Sequence, residues 1–66
     1  MSKSIRDSIK QQHTRSLRLL EGAGLSVVQI AQYYGEGYPA NMNIAMTYAK
    51  AIHELYDMIA EWGLTI

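Results

Sequence analysis

The chain has 66 residues and no cysteine, which predicts one domain (residues 1–66) without disulfides or thiolate metal sites. Its composition is 48% hydrophobic with a single proline, which is typical of a folded protein and excludes a disordered one. The net charge is zero, but residues 1–20 carry +4 from five basic and one acidic residue, and residues 21–66 carry −4 from one basic and five acidic ones. This segregation indicates either two solvated helix faces that attract each other or a functional patch.

The N-terminal stretch "MSKSIRDSIKQQ" contains no apolar run, so no signal peptide is expected there. No stretch approaches the roughly 20 consecutive apolar residues of a membrane span. Together with the lack of cysteine, these features lead us to expect a cytoplasmic protein that does not interact with membranes.

Local signals predict a first helix over about residues 4–21. Ser4 is placed to cap its N-terminus, with Asp7 three residues later as the partner of a capping box. The segment "EGAG" is expected to end the helix, with Gly22 or Gly24 available for a left-handed C-cap. The polar centre "QQHT" leads us to expect an exposed His13.

A second, short helix is predicted over about residues 27–34. Ser26 is placed as its N-cap, and Gln29 at the third helical position completes a capping box. Gly35 is expected to end this helix, and the following "EGYP" is expected to form a loop.

The third helix is predicted over about residues 40–62 and carries two apolar rows beside one polar row. The pattern predicts a homodimer, because two short helices are expected to cover only one apolar row; the alternative is that both rows are covered within the monomer. The row expected to form the dimer interface contains Ala45, Ala49, Ile52, Tyr56 and Ile59, preceded by Met42. The second apolar row contains Ile44, Tyr48, Ala51, Leu55, Met58 and Trp62.

The segment "EGAGLSVVQIAQYYG" resembles the first helix of helix-turn-helix domains such as those of resolvase- and transposase-type proteins. In this resemblance Ile30 matches a buried position, Ala31 matches the small residue where two helices touch, and Gly35 matches the turn glycine. The pattern is not continued, because Asn41 stands where the family has a buried valine or isoleucine. The three predicted helices indicate an all-α, three-helix domain with a long C-terminal helix, and the resemblance implies a helix-turn-helix-like central pair within it.

The resemblance also implies DNA binding, which the charges support only in part. The helix that would read the bases offers Asn41 and Asn43 but only one positive charge, Lys50, whereas DNA affinity depends on phosphate neutralisation. Phosphate contacts would have to come from the basic face of the first helix. That basic patch consists of Lys3, Arg6, Lys10, Arg15 and Arg18.

Catalysis is not indicated, because the chain has no cysteine nucleophile, no phosphate-binding glycine loop and no recognisable carboxylate pair. We therefore expect a non-enzymatic protein without a cofactor. His53, Asp57 and Glu61 lie four residues apart and could touch a metal, but a solvated polar edge is the favoured interpretation and no metal is expected.

Five tyrosines in so short a chain favour an interface, since tyrosine combines apolar area with a hydroxyl. Tyr33, Tyr34 and Tyr38 surround the loop and are predicted to contact a partner together with Asn41 and Asn43; alternatively, the tyrosines pack the loop against the third helix. Our leading hypothesis is a small regulatory or inhibitory protein that binds another protein. Its composition is similar to accessory proteins of phages and mobile elements. The alternatives are a dimeric helix-turn-helix regulator of transcription and a structural assembly subunit.

Overall fold

The computed structural model describes residues 2–66 as a helical hairpin. Helix α1 spans Lys3–Tyr34, a 3-10 turn spans Gly35–Gly37, and helix α2 spans Pro39–Gly63. The two helices run antiparallel, so that the first turns of α1 lie near the last residues of the chain. There the Arg6 guanidinium donates hydrogen bonds from Nε and Nη2 to the backbone oxygen of Ile66 at 3.2 and 3.0 Å. We call this the open end and the other the loop end.

The prediction of three helices with a helix-turn-helix-like central pair is wrong. The segments predicted as the first two helices form one continuous helix of 32 residues, α1. Gly22 and Gly24 lie inside it, and among residues 2–66 only Gly35 has a positive φ angle. Two interior glycines weaken a helix by about 1 kcal/mol each relative to alanine, which contacts along a long partner helix outweigh.

Both predicted N-caps of this region are also wrong. Ser26 lies in the middle of α1, and Ser4 lies in its first turn. The actual N-cap is Ser2, whose Oγ accepts a hydrogen bond of 3.2 Å from the Ile5 backbone N–H. A serine with a glutamine three residues later caps a helix only where the chain before the serine is not helical. The chain before Ser26 is helical, so the serine caps nothing.

The loop and α2 agree closely with the sequence prediction. Gly35 ends α1 with φ 56° and ψ −159°, a conformation open almost only to glycine, and its N–H bonds the carbonyl of Ala31. Pro39 occupies the first turn of α2, where its missing N–H has no helical partner to lose.

The most buried side chains of the hairpin lie toward the loop end. Ala31 and Ala45, 3% and 5% exposed, are the buried hydrophobic residues among those described. Farther along, Gly24 faces Ile52 at van der Waals distance, and Gly63 faces the His13 ring. These pairs fix the register, which also places Ala31 at about the level of Ala45.

Gly22→Ala is expected to stabilise the protein by about 0.5–1 kcal/mol, because alanine is the better helix former and a Cβ at this position meets nothing within 4 Å. Gly35→Ala is the matched control, since Gly35 also has open space around it but a positive φ angle. It is expected to destabilise by about 1–3 kcal/mol. Urea titrations followed by circular dichroism measure both. A loss of stability in Gly22→Ala would show that the helix breaks at that glycine.

Candidate protein-binding surfaces

The hairpin leaves far more surface exposed than a compact protein of its mass. Its accessible surface is 5326 Å², whereas a folded 7.4 kDa monomer exposes about 4,200 Å². Its radius of gyration is 15.7 Å, against about 11 Å for a compact domain of this length. Two helices alone therefore cannot enclose the apolar side chains that this sequence supplies.

The apolar row predicted for the dimer interface faces α1 within the same chain. Ala45 of this row is buried and the other four members are half-buried: Ala49, Ile52, Tyr56 and Ile59. They lie opposite half-buried α1 residues such as Leu20, Gly24 and Val28. This intrachain contact leaves the second row of α2 without a partner inside the hairpin.

The second row of α2 lies on one side of the hairpin together with exposed apolar residues of α1. All six of its members are exposed: Ile44, Tyr48, Ala51, Leu55, Met58 and Trp62. At the open end, a groove of about 410 Å³ is lined by apolar residues that include Ile5 and Trp62 and by polar α1 residues such as Ser8 and Gln12, which shows that Ile5 and Trp62 share this side. Leu19 and Ile30 follow Ile5 by about four and seven whole helical turns and are also exposed. We refer to these exposed residues of both helices as the apolar side.

The predicted partner-binding residues cluster at the loop end. Tyr33 and Tyr38 are 84% and 62% exposed, so these two tyrosines do not pack the loop against α2. Tyr34 is also exposed, and its ring meets that of Tyr38 edge-on at a centroid distance of 5.9 Å. Asn41 and Asn43 lie exposed in the first two turns of α2, beside this aromatic group.

Charge is almost absent from the loop half of the molecule. Between residues 22 and 49, which cross the loop from the middle of α1 to the middle of α2, Glu36 is the one charged residue. The other eleven charged residues lie toward the open end. Protein interfaces are depleted in charge at their centre and enriched in tyrosine and methionine, and this half of the hairpin has that composition.

The basic residues of α1 do not form one uniform patch. Arg6 is engaged with Ile66 at the open end. Lys10, Arg15 and Arg18 line a shallow depression formed by α1 alone. Among residues 2–66 none of the five predicted patch residues has a carboxylate within ion-pair distance, and the one such contact is His53–Asp57 at 3.5 Å.

His13 is not exposed as predicted, and sequence reasoning missed its contacts. Its ring packs edge-on against Trp62 with a centroid distance of 4.5 Å, and it is half-buried. Gly63 makes room for it, since a Cβ there would lie 3.3 Å from His13 Nδ1. That nitrogen is buried without a hydrogen-bond partner in the described part of the chain. The sequence did contain a signal that His13 faces α2, because His13 continues the helical spacing of Ile9 and Leu20.

In the part of the chain that the structure describes, neither a cluster of metal ligands nor a membrane-spanning helix is found. No three His, Asp or Glu side chains of residues 2–66 come together as metal ligands. Neither described helix combines the length and the apolar character needed to cross a bilayer. The groups that stand out are surfaces: the apolar side, the loop end and the basic depression.

Comparison with known proteins found no matching family model, no matching curated protein and no matching solved structure. Inference about function therefore depends on the surfaces of the hairpin itself.

Proposed function

We propose that this protein is a small, non-catalytic regulator or inhibitor that binds another protein through the loop end of the hairpin. The single observation that carries the proposal is the exposed tyrosine cluster in a half of the molecule that contains one charge, Glu36. Exposed aromatic side chains in an uncharged surround form the usual centre of a protein interface. A monomeric surface without a partner rarely concentrates them in this way.

The shape of the loop end supports the same proposal. Gly35 fixes the turn, and the Tyr34–Tyr38 ring contact holds part of the cluster in place before a partner arrives. Tyrosine also loses little conformational entropy on binding, since its side chain has only two rotatable bonds. The cytoplasm is the compartment that we propose for this interaction, which the lack of cysteine fits.

A second candidate function is nucleic-acid binding, favoured by the Lys10, Arg15 and Arg18 depression. These side chains have no carboxylate partners in the described chain and are free to contact phosphates. The acidic residues on α2 and the zero net charge act against this function. Residues 2–66 contain no separate reading helix, so such binding would be directed at the phosphate backbone and not at base sequence.

One experiment separates the two candidates. The protein is immobilised and exposed to cell lysate with and without nuclease, and Tyr33→Ala with Tyr38→Ala is compared with Arg15→Ala with Arg18→Ala. For a protein partner, we expect capture that survives nuclease and an affinity loss of about tenfold or more from the tyrosine pair, because aromatic anchors carry most interface energy.

Leu64→Ala is the matched control, since Leu64 is as exposed as Tyr33 but lies at the open end. It is expected to leave capture unchanged. Nuclease-sensitive capture that weakens with the arginine pair, falls steeply with salt and ignores the tyrosines would establish the nucleic-acid function instead.

A further inference from the structure

We propose that the apolar side of the hairpin is covered by a second copy of this chain, with α2 packed antiparallel against α2 of the partner subunit. The hairpin exposes about 1,100 Å² more than a compact monomer of its mass, and each partner of a standard stable interface loses about 800 Å². One more hairpin therefore supplies the missing cover. The product is a four-helix bundle, the arrangement in which helices of this length ordinarily enclose a core.

The spacing of the exposed α2 row fits a two-fold axis. Its six members follow one another at intervals of four, three, four, three and four residues, which reads the same in both directions. A symmetric dimer requires that if one residue contacts another across the interface, the reverse contact also exists. An axis crossing α2 midway between Ala51 and Leu55 meets that requirement for the whole row.

The side chains paired by this axis also complement each other in size. Ala51 lies opposite Leu55 of the partner subunit, so a small side chain meets a large one at the centre, where the helices need to approach closely. Farther out, Tyr48 faces Met58 of the partner subunit and Ile44 faces Trp62 of the partner subunit. Each of these pairs occurs twice in the dimer.

The sequence of α1 explains why α2 meets α2 and not α1 of the other copy. The apolar side of α1 carries Ile5, Leu19 and Ile30, but polar Ser8 and Gln12 stand between Ile5 and Leu19. The α2 row is apolar at all six positions, so pairing it with itself buries more apolar surface than pairing it with α1.

Charge favours the antiparallel arrangement over the parallel one. Glu54, Asp57 and Glu61 lie in the second half of α2, whereas its first half carries no charge before Lys50. Parallel α2 helices would bring the two sets of carboxylates to the same level, which is unfavourable for like charges. The antiparallel arrangement sets each acidic half beside a half whose one charged residue is the basic Lys50.

The mass of the purified protein tests the dimer directly, without reference to the function proposed above. Sedimentation equilibrium at tens of micromolar is expected to give twice 7.4 kDa. Leu55→Glu should weaken association by about 100-fold or more, because the symmetric interface buries the new charge twice. Leu25→Glu is the matched control: Leu25, at 65% exposed against 45% for Leu55, lines the opposite side of the hairpin. It should remain a dimer.

A monomeric wild type at these concentrations overturns the proposal, and so does a dimer that survives Leu55→Glu but not Leu25→Glu. Cysteine cross-linking decides the case in which Leu55→Glu fails to fold, and it also tests the orientation. The chain has no cysteine of its own, so Tyr48→Cys and Met58→Cys can be made singly and then mixed.

Antiparallel packing predicts a disulfide between positions 48 and 58 in the mixture only, since a disulfide requires Cα atoms within about 7 Å. Parallel packing would instead form a disulfide between two copies of the same variant. Absence of any cross-link in the mixture contradicts the proposed interface.

Discussion

Ile52→Glu is expected to unfold the hairpin or to lower its free energy of unfolding by about 2–4 kcal/mol. Ile52 packs onto α1 where Gly24 brings the backbone close, and a charged carboxylate there would lose both the packing and its hydration. A chain of this length has only about 3–10 kcal/mol of total stability, so a loss of this size removes much of it. Thermal and urea unfolding followed by circular dichroism measure the effect.

Thr47→Glu is the control for Ile52→Glu, since it adds the same side chain to the exposed polar row of α2. It is expected to change stability by less than about 0.5 kcal/mol. The comparison also tests the sequence prediction that Ile52 lies in the dimer interface. If Ile52→Glu retained its helicity and stability while its mass fell to that of a monomer, Ile52 would have to face another chain and not α1.

The two segments of the hairpin differ in how far the sequence predicted them. Helix α2 was predicted almost to its ends, because its apolar rows continue without interruption and Pro39 and Gly63 mark its limits. In α1 the local signals conflicted with the overall structure. Gly22, Gly24 and Ser26 indicate a helix end and a new start, each worth about 1 kcal/mol.

What outweighs those signals is visible only when both helices are present. The half-buried residues of α1 continue across the glycines at helical spacing, so that a single helix keeps contact with α2 from about Ile9 to Ala31. Breaking α1 at Gly22 would give up part of that contact to satisfy a local preference. Neither glycine is required by close packing, since a Cβ at Gly24 would lie 3.5 Å from Ile52 Cγ2 and a Cβ at Gly22 would meet nothing within 4 Å.

Of the candidate surfaces, the sequence located the loop-end tyrosines but not the exposed apolar row of α2. The loop-end tyrosines follow from sequence position alone, since Gly35 and the segment up to Pro39 place them at a turn. The choice between the two apolar rows of α2 could not be made without the register against α1. Counting apolar residues shows that two faces exist, but only the position of the partner helix decides which face remains exposed.

The loop-end tyrosine cluster and the apolar side together determine how the proposed dimer would present its binding sites. In the proposed antiparallel dimer the loop ends point in opposite directions, so each dimer would present two tyrosine clusters at its two extremities. Such a dimer could bind two partner molecules, or two sites on one assembly if their separation matches its length. This arrangement keeps the self-association surface and the partner-binding surface separate, and variants of one should leave the other intact.

Ala31→Leu and Ala45→Leu are each expected to destabilise the hairpin by about 1–3 kcal/mol, since both side chains are buried between the helices. The three added carbon atoms have no free space, so the helices must separate or a side chain must adopt a strained rotamer. Ala40→Leu is the control, because Ala40 is exposed in the first turn of α2 and leucine is nearly as good a helix former as alanine.

The double variant tests the antiparallel register that both proposals depend on. If Ala31 and Ala45 lie side by side, the first leucine already pushes the helices apart, and the second adds less than it does alone. We expect a coupling of about 0.5 kcal/mol or more in a double-mutant cycle measured by urea unfolding. Strict additivity would place the two alanines at separate levels, and the residues that we assign to the apolar side of each helix would then shift with them.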